Sequence, residues 1–190
     1  MHNLVKPLAL VGLPGSGKST LGRLLAERLH APFRDVDAII EQTVSLPITA
    51  IFDQRGEPWF RAQERTVISD LLASPEPVVL SLGGGAFMDP ATRALLRMHG
   101  VSLWLRVPLD ILVARIGETE PTPVITALKR EGRTTREALE SLLAERGPVY
   151  AEADLVVDVG TESLDETLVR VMNVLTQAAL LAEGSLAVDS

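Results

Sequence analysis

The sequence predicts an α/β fold, a three-layer sandwich in which helices cover both faces of a five-stranded parallel sheet. Three observations predict it. Four short apolar runs and one weaker strand-like segment are spread along the chain, segments with helical apolar spacing separate them, and a glycine-rich turn joins the first run to the first helix. Strands that alternate with helices build parallel sheets, because each crossover helix carries the chain back to start the next strand at the same end.

Residues 8–11 (LALV) are the first apolar run and end at glycine, as a strand buried on both faces does. Residues 19–29 follow with Leu21, Leu24, Leu25 and Leu29 on one helical side. A second strand is expected over 32–36, with a further helix starting near Ala38. PVVLSL (77–82), VSLWLRV (101–107) and LVVDV (155–159) supply the third, fourth and fifth strands. Helices are expected over 58–73, 89–98, 109–116, 135–146 and from Ser163 to about Leu181. Residues 117–133 are the least regular stretch, with Pro121, Pro123 and Gly132, and their length suits a mobile flap, or lid. One domain is expected over 1–182, followed by a flexible tail at 183–190.

The 190 residues suffice for one domain with a full core, and 46% hydrophobic with 23% charged residues is a globular balance. A net charge of −7 leaves no basic excess for nucleic acid, so an anionic ligand would need a local basic pocket. The absence of cysteine excludes disulfides, thiolate metal sites and cysteine nucleophiles. The start MHNLVKPLALVG lacks the pattern of a secretory leader, and no apolar run reaches the ~18 residues of a membrane span. A cytoplasmic protein is expected, without membrane or nucleic-acid partners and monomeric.

GLPGSGKST at 12–20 lies between the first strand and the first helix, the context in which the pattern G-x-x-x-x-G-K-[ST] marks a phosphate-binding P-loop. Gly12, Gly15 and Gly17 let the backbone curl so that N–H groups face phosphate oxygens, and the helix start adds its positive dipole end. Gly15, Ser16, Gly17, Lys18, Ser19 and Thr20 are therefore assigned to ATP. Lys18 reaches the β and γ phosphates, a catalytic role, and the Ser19 hydroxyl can ligate Mg²⁺. The fold is then a P-loop NTPase fold. No N-K-x-D guanine signal is present, and the third strand ends in Ser81 and GGG instead of an acid. The nearest acids at a strand end are Asp35 and Asp37, two apart, which strand alternation would point into one cleft. Asp35 is assigned to the metal shell and Asp37 to a substrate hydroxyl, although Asp37 also fits as a helix N-cap.

The order GLPGSGKST, DVD, IFDQRGEPWFRAQE, LGGGAF and ERGPVY resembles that of the shikimate kinases over most of the chain. The resemblance implies a substrate-binding insertion after the second strand, a lid over ATP, and transfer of the γ-phosphoryl group to the 3-hydroxyl of shikimate. That reaction lies on the route to chorismate and the aromatic amino acids. It implies substrate binding by Asp37, Arg61, Gly83, Gly84, Gly85 and Arg146, and adenine packing by Arg115. Arg61 stands three residues before Glu64, so the carboxylate can orient the guanidinium for a bidentate grip on an acid. Phe52, Trp59 and Phe60 offer apolar surface for a ring, and the glycines allow close backbone approach.

One position departs from the family. Thr122 stands where the lid usually carries arginine, with Lys129, Arg130, Arg133 and Arg136 following out of register. Arg130 or Arg133 is expected to substitute. Two alternatives to the main reading are a kinase for another small polyol acid, such as gluconate, and a ligand-sensing domain with weak or no turnover.

Overall fold

The computed structural model describes residues 2–117 and 123–183. After a short strand β1 (His2–Leu4), the chain enters β2 (Leu8–Val11), buried at every position and lying at the centre of the sheet. Helix α1 (Lys18–Arg28) buries Leu21 and Leu25 and leads to β3 (Phe33–Asp35). Three helices then intervene: α2 (Val36–Val44), α3 (Ile48–Arg55) and α4 (Glu57–Leu72). Strand β4 (Val79–Ser81), a 3-10 turn (Ala86–Met88), α5 (Pro90–His99) and β5 (Val101–Arg106) follow. The chain continues through α6 (Leu109–Gly117), α7 (Pro123–Arg130), α8 (Thr135–Tyr150), β6 (Leu155–Asp158), α9 (Leu164–Gln177) and β7 (Leu181–Glu183).

Five strands form one parallel sheet in the order β3-β4-β2-β5-β6, as the alternation of elements predicts. The consecutive strands β4 and β5 lie on opposite sides of β2, so the connections diverge beside it and open a crevice at the carboxyl ends of the strands. The P-loop and the first turn of α2 both start from that edge.

Several boundaries differ from the sequence expectation. The helix expected near Ala38 begins at Val36 and is broken into α2 and α3, because Ser45 takes a left-handed conformation (φ 57°) and Pro47 follows. With α4 these form the insertion between β3 and β4. Within the expected flap, Pro123–Arg130 form helix α7, held by the fully buried Ile125. Residues 118–122, including Thr122, lie outside the described residues. Helix α8 runs four residues past Arg146 and through Pro148, since burying Tyr150 outweighs the local cost of proline. Helix α9 stops at Gln177, and 181–183 form β7 on β1. Glu183 is thus paired with His2 instead of belonging to a loose tail, and 184–190 lie outside the described residues.

Candidate active site

Gly17 caps α1 with φ 90°, a left-handed conformation that glycine alone takes at little cost. The helix then opens with N–H groups that have no helical acceptor, a site for anions. Lys18 Nζ donates to Gly12 O (2.9 Å) and Leu13 O (3.1 Å), which drapes the side chain over its own loop. Burial lowers its pKa to about 8, against the upward pull of Asp37 and Asp35.

Asp35 is the N-cap of α2, and its Oδ1 accepts from Ala38 N–H at 3.3 Å. Its other oxygen accepts from Ser19 Oγ at 2.6 Å, and Ser19 Oγ lies 3.1 Å from Ser81 Oγ. Asp37 sits in the first turn of α2, not on the strand, so helix geometry and not strand alternation brings the two acids to one cleft. Asp35, not Asp37, is the cap. Asp37 Oδ1 is buried without a hydrogen-bond partner among the described residues. Burial first, and the Asp35 charge second, push its pKa up to about 6, with Lys18 and Arg61 pulling the other way.

Across the cleft, α4 presents Arg61. Its Nη1 donates to Glu64 Oε2 (2.7 Å), while Nε and Nη2 donate to Glu57 Oε1 (3.2 and 3.0 Å). Glu64 is 2% exposed, and burial raises its pKa to about 7 despite Arg61. The three glycines run between these groups. A Cβ at Gly83 would come within 2.6 Å of Asp37 Oδ1 and 2.7 Å of Glu64 Oε1, and one at Gly85 within 2.2 Å of Arg61 Nη2. A side chain at either position would have to displace the Asp37 and Glu64 carboxylates or the Arg61 guanidinium. Arg146 reaches the same loop from α8, 8% exposed, with Nε lacking a partner among the described residues.

These groups line one cleft of about 340 Å³ beside the P-loop, together with Phe52, Phe60 and Val124. Trp59 does not join them; the Arg55 guanidinium covers its ring at 4.4 Å. A second cleft of about 380 Å³ lies across the P-loop between Arg115 and Leu164, with Thr20, Glu162 and Thr167. Arg115 Nη1 donates to Gly15 O there at 3.5 Å. Sequence reasoning missed Glu57, Tyr150 and this pocket's α9 wall. Spacings of four residues, 57 to 61 and 146 to 150, were the available signal for the first two.

No group of three or more His, Cys, Asp or Glu gathers into a metal cage among the described residues. The Ser19 and Asp35 oxygens suit Mg²⁺ instead, which takes few protein ligands and fills its shell with phosphate and water.

A family model described as shikimate kinase matches residues 14–176. The chain belongs to the shikimate kinase family. The shikimate kinase of Novosphingobium aromaticivorans is 41% identical over 90% of this chain and 88% of its own length. That of Cereibacter sphaeroides is also 41% identical, over 92% of this chain and 85% of its own. Among solved structures, shikimate kinase from Acinetobacter baumannii in complex with shikimate superimposes with a TM-score of 0.83 at 28% identity, covering 92% of this chain and 95% of that one. A gluconokinase from Sinorhizobium meliloti shares the fold alone, with a TM-score of 0.59 at 22% identity. Family membership favours shikimate phosphorylation over the polyol-acid and sensor alternatives.

Proposed function

We propose that this enzyme transfers the γ-phosphoryl group of ATP to the 3-hydroxyl of shikimate, with ATP on the P-loop and shikimate in the cleft that Arg61, Arg146 and Asp37 line. One observation carries the reading: this cleft places two guanidinium groups and a buried carboxylate around three glycines, beside a P-loop. That is a match for a small ligand with an acid at one end and hydroxyls at the other. Arg61 and Arg146 hold the carboxylate, and the backbone of Gly83, Gly84 and Gly85 lets the ring lie close. Phe52, Phe60 and Val124 supply apolar cover.

Asp37 accepts the hydrogen of the attacking hydroxyl and aligns its oxygen with the γ-phosphorus. An oxygen–phosphorus bond forms to the substrate, the bond to the β-phosphate bridging oxygen breaks, and ADP leaves with the electron pair. The hydroxyl proton passes to Asp37 and then to solvent. Asp35 is a poorer acceptor for it, since both its oxygens are already hydrogen-bonded. Lys18 turns from its loop carbonyls to the phosphates and offsets charge that spreads over the transferring group. Ser19 and Asp35 would hold Mg²⁺, which neutralises phosphate charge when bound. Arg115 and Leu164 flank the adenine.

The test is a coupled assay with shikimate and gluconate as acceptors, run beside Arg61→Ala and Arg146→Ala. Each arginine loss is expected to raise the shikimate KM about ten- to hundredfold, the scale of a charged hydrogen bond, and to leave the ATP KM near its parent value. Equal weakening toward both substrates, or preference for gluconate, would overturn the assignment.

A further inference from the structure

Tyr150 ends α8 with its side chain fully buried, its ring 5.9 Å from that of Trp104 and 6.4 Å from that of Phe87. A hydroxyl in such a setting needs a partner, and it donates to the carbonyl of Gly84, the middle residue of the glycine run. The flanking carbonyls are engaged too: Gly83 O accepts from Ala86 N–H (3.0 Å) and Gly85 O from Met88 N–H (3.1 Å). All three peptide planes are therefore fixed, two by a local turn and the middle one by a side chain 66 residues away. Tyr150 also stands one helical turn after Arg146, on the same face of α8. A Cβ on Gly84 would come within 2.9 Å of Arg146 Nη1 and 3.8 Å of the Tyr150 hydroxyl, so both side chains converge on that residue. Burial raises the phenol pKa against the pull of Arg146, which keeps the hydroxyl a donor at neutral pH.

We propose that Tyr150 is a positioning residue for acid recognition: by holding the Gly84 carbonyl it presents the Gly85 N–H to the substrate carboxylate alongside Arg61 and Arg146. In a planar trans peptide the carbonyl and the following N–H point in opposite directions. Anchoring the Gly84 oxygen toward Tyr150 thus turns the Gly85 N–H away from it, and the glycine that carries this N–H packs against the Arg61 guanidinium. Without the hydroxyl the middle peptide can rotate, since glycine offers no steric resistance. The substrate contact in this inference rests on the function proposed above; the hold on the glycine loop does not.

Tyr150→Phe keeps the ring among Trp104 and Phe87 and removes only the hydroxyl. Two readouts test it. The shikimate KM is expected to rise about tenfold, the cost of one lost buried hydrogen bond, with kcat and the ATP KM within about twofold of the parent. The backbone amide signals of Gly84 and Gly85 in the full chain without substrate are expected to shift in the NMR spectrum and to exchange faster with solvent. Unmoved glycine amides, or a lower melting temperature with an unchanged shikimate KM, would reduce Tyr150 to a core residue and overturn the proposal. Shifted amides in an enzyme whose parent form phosphorylates no shikimate would uphold the hold on the loop and sink the proposed substrate instead.

Discussion

Asp35 and Asp37 stand two residues apart, and their surroundings divide the work between them. Asp35 is spent on Ser19 and on the start of α2, while Asp37 keeps a buried oxygen with no donor among the described residues and a pKa raised to about 6. A carboxyl of that kind is poised near neutrality to take a hydrogen from a hydroxyl. The sign of the linkage follows from the raised value. Asp37 favours the fold fully below its ordinary 3.8, and that contribution is lost as pH rises through about 6. Asp37→Asn should therefore cut kcat steeply while shikimate still binds. In the substrate-free protein it should also gain stability over the parent between pH 5 and pH 7.5, on the order of 1–3 kcal/mol at the upper end. Paired melting curves at the two pH values, with turnover at each, check both halves; an active variant would move the hydroxyl contact elsewhere. These acids, Lys18 and the arginines are candidates in the sequence because each lies in a short contiguous motif, the arginines in motifs that resemble the family's. The sequence could not disclose which acid caps α2, which depends on where the strand stops, nor that Glu57 covers the Nε edge of Arg61.

The elements most legible in the sequence are those whose pattern is long or carries strong stop signals. The buried strands β2, β4 and β5 and helix α1 fall within two residues of expectation, since continuous apolar runs and leucine spacing specify them. Helices α3 and α7 have eight residues each, too few for periodicity to stand out, and proline at or before their first position read as interruption although it suits a helix start. Helix α8 passed its apparent end because packing around Tyr150 decides it. These elements bear on the lid. Of the four basic residues after Thr122, Arg136 is paired with Asp110 on α6, and Arg133 donates to Ser141 on α8. Lys129 and Arg130 stand exposed in the last turn of α7. The cation expected to replace the lid arginine is thus Arg130 in preference to Arg133. Arg130→Ala should lower kcat with ATP about tenfold or more, and Arg133→Ala should leave it within about twofold, because an exposed hydrogen-bonded side chain is worth little. Comparable losses in both variants, or in neither, would remove Arg130 from that role.

At the scale of the whole molecule, function and closure of the chain sit at opposite ends of the sheet. The P-loop, the capping turn of α2 and the glycine run all leave the carboxyl ends of their strands. Strand β1 precedes β2 at the other end, where it pairs antiparallel with β7, Leu4 opposite Leu181, and Val5 N–H donates to Leu180 O at 3.0 Å. Neither strand was expected, because three residues give no alternation to read and their pairing joins distant positions, His2 with Glu183 and Leu4 with Leu181. Leu4 is nearly buried and belongs to the main hydrophobic core, so the ribbon contributes apolar contact as well as hydrogen bonds. Leu4→Ala should destabilise the protein by about 2 kcal/mol, the low end for a leucine at the margin of a core. In a chain of this size that lowers the melting temperature by about 4–8 °C. The cleft lies beyond the full length of β2, and none of the described ribbon residues is among those that line it. Turnover and both KM values should therefore stay at parent levels well below the melting transition. A kinetic change at 25 °C in a fully folded Leu4→Ala protein would show that strain at the ribbon reaches the P-loop through β2, and the two ends of the sheet would have to be treated as one coupled unit.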